Sequence, residues 1–123
     1  MNLLIYKNLL KKIQDKWYNM KVYVDIDETI CFYKGERNYK HALPIDLRIK
    51  KINKMYDEGC EITYWTARGS VTGEDWFDIT RNQLNEWGCK YHNLSVGEKP
   101  PYDLLICDKV VNSEVFFAGE ENE

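Results

Sequence analysis

Two aspartates, Asp25 and Asp27, stand one residue apart directly after a run of β-forming residues that begins at Lys21. Because side chains alternate along a strand, both carboxylates should leave the same face. Two carboxylates this close repel each other and shift each other's pKa. The compensating feature is a nearby cation, a bound metal ion, or a division of labour in which one carboxyl group is an acid and the other a base.

Three other side chains that could take part in catalysis or binding lie at or near the ends of short apolar runs. Thr66 closes the run EITYWT, Asp108 closes the run YDLLICD, and Lys99 lies in the loop that enters this last run. Runs of this length are typical of buried strands. Ligands bind at the carboxyl ends of the strands in open parallel sheets. We therefore expect these three residues to join the two aspartates on one rim.

The elements that must position these residues alternate between strands and helices. The predicted strands span 21–26, 61–66, 91–94 and 102–108, and the predicted helices span 44–59 and 72–87, with Thr72 as the cap of the second. This alternation predicts an α/β fold, a Rossmann-like three-layer sandwich with a mainly parallel sheet between layers of helices.

The two ends of the chain are predicted to differ from its body. Residues 1–19 form an amphipathic helix, residues 20–118 a single α/β domain, and residues 119–123 an acidic flexible tail. The apolar stripe of the leading helix has helical spacing and comprises Leu3, Tyr6, Leu10, Ile13 and Trp17. We favour packing of this stripe on its own domain, with a seam between subunits as the alternative, so the chain is expected to be a monomer or a homodimer.

Composition narrows the class of protein. The 123 residues are 44% hydrophobic, which suffices for one domain with a real core, and the formal net charge of −3 gives no general basic field for nucleic acid. The four cysteines form no CxxC pair and are expected to be reduced thiols. Neither an apolar run of membrane-spanning length nor a signal peptide is present, so we expect a cytoplasmic protein without membrane contact.

Four segments, in order, resemble the motifs of the haloacid dehalogenase-like phosphatases. DIDET fits the DxDx[TV] signature, YWTAR resembles the second motif, GEKPPYD the third and LLICD the fourth. The motifs extend over 22–108, most of the chain. One such motif alone is a weak signal. Four in the family's order, each on the expected element, form a specific pattern.

The resemblance implies a magnesium-dependent phosphatase. Asp25 would be the nucleophile that forms an aspartyl-phosphate, and Asp27 the acid that protonates the leaving oxygen and then activates water. Thr66 would donate to a phosphoryl oxygen, and Lys99 would neutralise the phosphoryl group and Asp25. Asp108 would complete a Mg²⁺ site with the Asp25 carboxylate and the Asp27 carbonyl oxygen.

The chain departs from the family pattern at two positions. Glu28 stands where the family often has glycine, and we expect its side chain to point away from the two aspartates. Cys107 precedes Asp108 where many members carry a second acid. A thiol is a poor Mg²⁺ ligand, so the metal position would depend on Asp108.

The intervals between motifs leave no room for the cap domain that most members insert, so the resemblance implies a capless core with an open site. We expect a small phosphomonoester, favouring a sugar phosphate, with Lys34 and Arg37 of the loop 31–41 and Arg68 as substrate contacts. The alternatives are phosphatase activity on 3′ or 5′ ends of nucleic acid and a catalytically silent phosphate-binding module.

Overall fold

The computed structural model describes residues 2–5, 7–9 and 20–120. In chain order its elements are β1 (Lys21–Asp25), β2 (Cys31–Phe32), a 3-10 helix (Tyr39–His41), β3 (Leu43–Pro44), α1 (Asp46–Asp57), β4 (Glu61–Thr66), α2 (Phe77–Glu86), β5 (Asn93–Val96) and α3 (Ser113–Phe116). Strands and helices alternate as the sequence predicts. The α/β class is confirmed, whereas the three-layer arrangement and the domain boundaries stay predictions.

A parallel sheet of three strands carries the rim on which the functional residues were expected. Its order is β1-β4-β5, and Asp25 lies opposite Trp65 while Thr66 lies opposite Val96. The carboxyl ends of the three strands therefore meet at the same edge. A parallel pair needs a crossover connection, and α1 and α2 lie within the two crossovers.

The core lies where the central strands meet α1. Ile62 and Tyr64 of β4 are fully buried, and α1 buries Ile49, Ile52 and Met55 at helical spacing against the same cluster. Burial of an aliphatic side chain of this size stabilises the fold by about 1.5–3 kcal/mol. The helix ends before Gly59, whose φ of 105° is accessible to glycine and strained for other residues.

The helix predicted from Thr72 begins five residues later, at Phe77. Residues 69–76 before the helix form a tight loop in which Gly69 has a φ of 83°, and a Cβ atom there would lie 2.1 Å from the carbonyl oxygen of Glu74. Thr72 accepts a hydrogen bond from the amide of Glu74 within this loop and does not cap the helix. The helix starts where Asp75 accepts from the amide of Phe77.

The strand predicted over 102–108 is wrong. No residue of this segment joins a ladder, and Ile106 and Leu104 are 89% and 76% exposed. Among the described residues β1 pairs with β4 alone, so its other edge holds no partner strand. An apolar run predicts burial but does not specify which strand it pairs with. Because 102–108 pairs with no strand in the described part of the chain, its apolar side chains stay exposed.

The expected loop 31–41 begins within a short hairpin. β2 and β3 pair antiparallel, with Cys31 opposite Pro44. The predicted strand at 91–94 is present but shifted to Asn93–Val96. Both differences concern elements of two to four residues, for which hydrophobic periodicity is a weak signal.

The leading segment and the tail are described only in part. Residues 3–5 and 7–9 are helical, Leu3 is exposed, and Leu9 packs against the core. The other four residues of the predicted stripe, at positions 6, 10, 13 and 17, lie outside the described residues, so the choice between self-packing and a subunit seam stays a prediction. In the tail, Glu120 lies 3.7 Å from Lys51, and 121–123 are likewise outside the described ranges. Within those ranges no helix has the length and apolar character that crossing a bilayer requires.

The exposure of 104–106 yields a test by matched substitution. We expect Ile106→Ala to change the free energy of unfolding by less than about 0.5 kcal/mol, because exposed side chains contribute little. The same change at the fully buried Ile62 should cost about 2–5 kcal/mol. Chemical denaturation of both variants measures the difference. A loss at Ile106 as large as that at Ile62 would mean that the run is buried in solution.

Candidate active site

The chain turns sharply just beyond β1, between the two aspartates and the hairpin. The amides of Thr29 and Ile30 both donate to the carbonyl oxygen of Ile26, at 3.1 and 3.0 Å. Glu28 has a φ of 62°, the left-handed region in which the family pattern often places glycine. Its side chain points outward to Arg37, 2.8 Å away and itself exposed, as predicted.

The carboxylate of Asp27 forms a bidentate ion pair with Arg68. Nη2 of the arginine lies 2.8 Å from Oδ1, and Nε lies 3.1 Å from Oδ2. The phenol of Tyr33 and the thiol of Cys31 also donate to Oδ1, and Thr66 Oγ1 donates to Oδ2 at 3.3 Å. Both oxygens of this carboxylate are therefore engaged by the protein, and the Asp27 side chain is only 10% exposed.

Arg68 is completely buried and uses all of its donors. Besides Asp27, its Nη1 donates to Thr80 Oγ1 at 3.1 Å and to Gln83 Oε1 at 2.6 Å, and its Nη2 to Tyr33 at 3.3 Å. The prediction that Arg68 contacts substrate does not hold in this structure, because no N–H remains for a ligand. Its role is to hold Asp27.

The environment of Asp27 sets its protonation state. Burial by itself would raise the pKa of Asp27, but the hydrogen bonds and charge of Arg68, with the donors Tyr33 and Cys31, outweigh burial and leave the pKa below its ordinary value. The acid role predicted for Asp27 required a raised pKa, and the contacts of its carboxylate do not provide one. Burial and the neighbouring carboxylate raise the pKa of Tyr33 and bring that of Cys31 to about 12, so both remain protonated donors.

Asp25 has a different cation and a more open position. Lys99 Nζ lies 3.0 Å from its Oδ1, and Thr29 Oγ1 donates to Oδ2 at 3.5 Å. The lysine is buried, with its ammonium 5.2 Å from the ring centroid of Trp65 and 5.1 Å from that of Tyr102. The Asp25 side chain is 37% exposed. Of the two carboxylates, Asp25 is the one that an incoming molecule can reach.

The hydroxyl of Thr66 does not face an open site. Its single hydrogen goes to Asp27, its oxygen accepts from the amide of Arg68 at 3.2 Å, and the residue is buried. In this arrangement it has no second hydrogen for a phosphoryl oxygen. The predicted phosphoryl contact therefore does not form here, and Thr66 supports Asp27 instead.

The predicted ligands of Mg²⁺ are not gathered. Asp108 lies in an exposed turn, where its carboxylate is 3.9 Å from the thiol of Cys107. Within the described part of the chain, no three His, Cys, Asp or Glu side chains lie close enough together to hold a metal ion. The residues as arranged do not fit the expected ion, and its site stays a prediction from the sequence.

The two basic residues of the hairpin loop lie at the surface near a cavity. Lys34 and Arg37 are exposed, and the guanidinium of Arg37 lies over the ring of Tyr33 at 5.4 Å. Arg37 lines a cavity of about 580 Å³ between this loop and the loop 69–76, and Lys34 does not. Arg37 is thus placed to meet a substrate that enters the cavity.

Sequence reasoning missed the side chains that complete the Asp27 cluster. Thr80 and Gln83 lie three residues apart on α2 beside the buried Leu84, and both are buried. Polar residues on the apolar face of a helix signal a buried polar partner, since such groups are rarely left unbonded. That signal was present in the sequence, but it does not identify Arg68 as the partner.

Comparisons with known proteins establish the fold alone. No family model matches the chain, and no curated protein is similar to it. The crystal structure of an MCSG target from Vibrio cholerae is similar, with a TM-score of 0.69 and 24% sequence identity over 80% of this chain and 88% of that one. A likeness of this extent supports the α/β architecture and does not identify an activity.

The ion pair of Asp27 makes a prediction about stability and pH. The folded pKa lies below the ordinary value of 3.8, so the pair stabilises the fold above that pH and the contribution is lost as the pH falls through the lower folded pKa. We expect Asp27→Asn to lower the free energy of unfolding by about 3–5 kcal/mol at neutral pH, because it leaves Arg68 buried without a counter-charge.

The difference in the free energy of unfolding between wild type and Asp27→Asn should become smaller as the pH is lowered below about 4, because the wild-type carboxylate then takes up its proton. Urea titrations at a series of pH values measure it. The control is Asp78→Asn, an exposed residue 3.4 Å from Arg81, which should change stability by less than about 1 kcal/mol at every pH. A difference that widens in acid would contradict a lowered pKa for Asp27.

Proposed function

We propose that this chain is a phosphoric monoester hydrolase of the haloacid dehalogenase-like type, with Asp25 as the nucleophile. The observation that carries the proposal is the Asp25–Lys99 pair, a partly exposed carboxylate 3.0 Å from a buried ammonium at the carboxyl end of β1. The four sequence motifs support it. The buried cation lowers the repulsion between an incoming phosphate and the attacking carboxylate.

The reaction has two steps. An Asp25 oxygen attacks phosphorus, the bond from phosphorus to the ester oxygen breaks, and the departing alkoxide takes a proton from water at the open site. Water then attacks the aspartyl-phosphate, the bond from phosphorus to the Asp25 oxygen breaks, and inorganic phosphate leaves as one proton of the water passes to Asp27. Asp27 returns this proton to the hydroxide left by the first step, which restores both carboxylates. Asp27 acts in this proposal as the base, since the lowered pKa of its carboxyl group keeps it ionised.

Magnesium dependence remains part of the proposal on the strength of the sequence motifs alone. Asp25, Asp27 and Asp108 would supply the oxygen ligands that this hard cation takes, and the ion would neutralise phosphoryl charge.

A catalytically silent phosphate-binding module is the second candidate. It is favoured by the position of Asp108, which the structure does not bring into a cluster with the other two aspartates. Such a module would bind inorganic phosphate beside Lys99 without turnover.

Substitution of the nucleophile tests the proposal. Asp25→Asn should reduce hydrolysis of para-nitrophenyl phosphate by about a thousandfold or more, because the near-isosteric amide is a poor nucleophile. Asp78→Asn, a matched change at an exposed site on α2, should leave the rate unchanged. Phosphate release is the measurement, and circular dichroism verifies the fold. Wild type that binds phosphate but never turns over would establish the silent module instead.

Removal of the metal tests the second part of the proposal. Chelation should abolish hydrolysis, Mg²⁺ should restore it, and Ca²⁺ should not, because its larger and looser coordination disturbs in-line attack. The same assay with chelator, Mg²⁺ and Ca²⁺ measures this. Full activity in the presence of chelator would show that hydrolysis does not need Mg²⁺, and it would not affect the assignment of Asp25 as the nucleophile.

A further inference from the structure

A mixed polar and aromatic cavity of about 580 Å³ adjoins the proposed active site. Ala67, which follows Thr66, and Pro101, two residues beyond Lys99, both line it. Tyr39 lines it as well, and its ring lies 4.9 Å from the guanidinium of Arg68, which binds Asp27. The cavity is therefore bordered by the segments that follow Thr66 and Lys99, and its volume is that of a small-molecule site.

Two aromatic rings contribute to the wall of this cavity. Tyr39 and Trp76 meet edge to face, with ring centroids 5.0 Å apart and an interplanar angle of 83°. An aromatic face carries negative charge density and attracts the polarised C–H bonds of a ring that packs on it. Trp76 lies close against the tight turn at Gly69, where a Cβ atom would come within 3.1 Å of the indole.

The charged residues that line the cavity are mostly acidic. Glu36 and Glu74 contribute two carboxylates and Asn38 an amide, against the single guanidinium of Arg37, which already pairs with Glu28. Ser70 also lines the cavity, and its hydroxyl oxygen is buried without a hydrogen-bond partner among the described residues.

We propose, on the basis of the phosphatase activity proposed above, that this cavity holds the leaving group of the substrate and that this group is a sugar ring. The hydroxyls of a sugar donate to carboxylate and amide oxygens, while its C–H face packs on the indole of Trp76. A nucleic-acid end fits less well, because a polyanion binds through several lysines and arginines, whereas the two carboxylates here outnumber the one arginine.

The experiment compares substrates that do and do not need the cavity. The substrates are acetyl phosphate, whose leaving group is too small to fill it, glucose 1-phosphate, glucose 6-phosphate and a 3′-phosphorylated tetranucleotide. We expect kcat/KM for at least one glucose phosphate to exceed that for the tetranucleotide. Trp76→Leu should lower the ratio of glucose phosphate to acetyl phosphate turnover by about tenfold. Phe77→Leu, an exposed aromatic outside the cavity, should leave that ratio unchanged.

Binding measured without turnover separates this inference from the proposed activity. In the Asp25→Asn protein, glucose 6-phosphate should shift the indole N–H resonance of Trp76 in ¹⁵N-correlated spectra, and Glu74→Gln should weaken that binding. If no substrate is hydrolysed but the indole still shifts, the activity fails and the sugar site stands. If acetyl phosphate is hydrolysed while neither glucose phosphate shifts the indole, or the tetranucleotide binds more tightly, the sugar site is overturned.

Discussion

The buried ion pair between Arg68 and Asp27 is the interaction on which the arrangement of the site depends. Arg68 lies in the segment after β4. Its guanidinium is hydrogen-bonded to the turn after β1, to the hairpin and to α2. Removing both charges from water is costly, and only good geometry with further hydrogen bonds offsets it. The bidentate contact and the full use of the guanidinium N–H groups meet that requirement.

The same pair resolves the problem posed by two aspartates one residue apart. The chain turns after Ile26, and each carboxylate then has its own cation, Arg68 for Asp27 and Lys99 for Asp25. Repulsion is relieved by separate partners, without the two groups sharing a proton. One carboxylate is thereby fixed in the interior and kept ionised, while the other stays accessible. This difference in environment is what a division of roles between two acids needs.

Local patterns in the sequence were sufficient for much of the fold. The strand at 61–66 and the helix ending before Gly59 follow from residue spacing and from one glycine, and both are found. Features that depend on distant partners were not predictable in the same way. The run 102–108 has the composition of a buried strand, yet its burial depends on a pairing that composition does not encode.

In the candidate site, likewise, one contact was predictable from the sequence and the contacts of Arg68 were not. Asp25 and Lys99 were expected together from the order of the motifs, and they are 3.0 Å apart. Arg68 was expected to contact substrate, but its side chain is instead bound by Thr80 and Gln83 of a helix 12 and 15 residues further on. The sequence led us to expect a raised pKa for Asp27, whereas its pKa is lowered. The difference arises from Arg68, whose contact with Asp27 is visible only in the folded structure.

The central claim is that of the two neighbouring carboxylates Asp25 alone can act as the nucleophile, and chemical trapping tests it most directly. Wild-type protein is incubated with acetyl phosphate and Mg²⁺ and then reduced with borohydride, which converts an aspartyl-phosphate to homoserine, and the modified residue is located by peptide mass spectrometry. The account predicts homoserine at position 25 and unmodified aspartate at position 27. Homoserine at position 27, or at neither position, would contradict it.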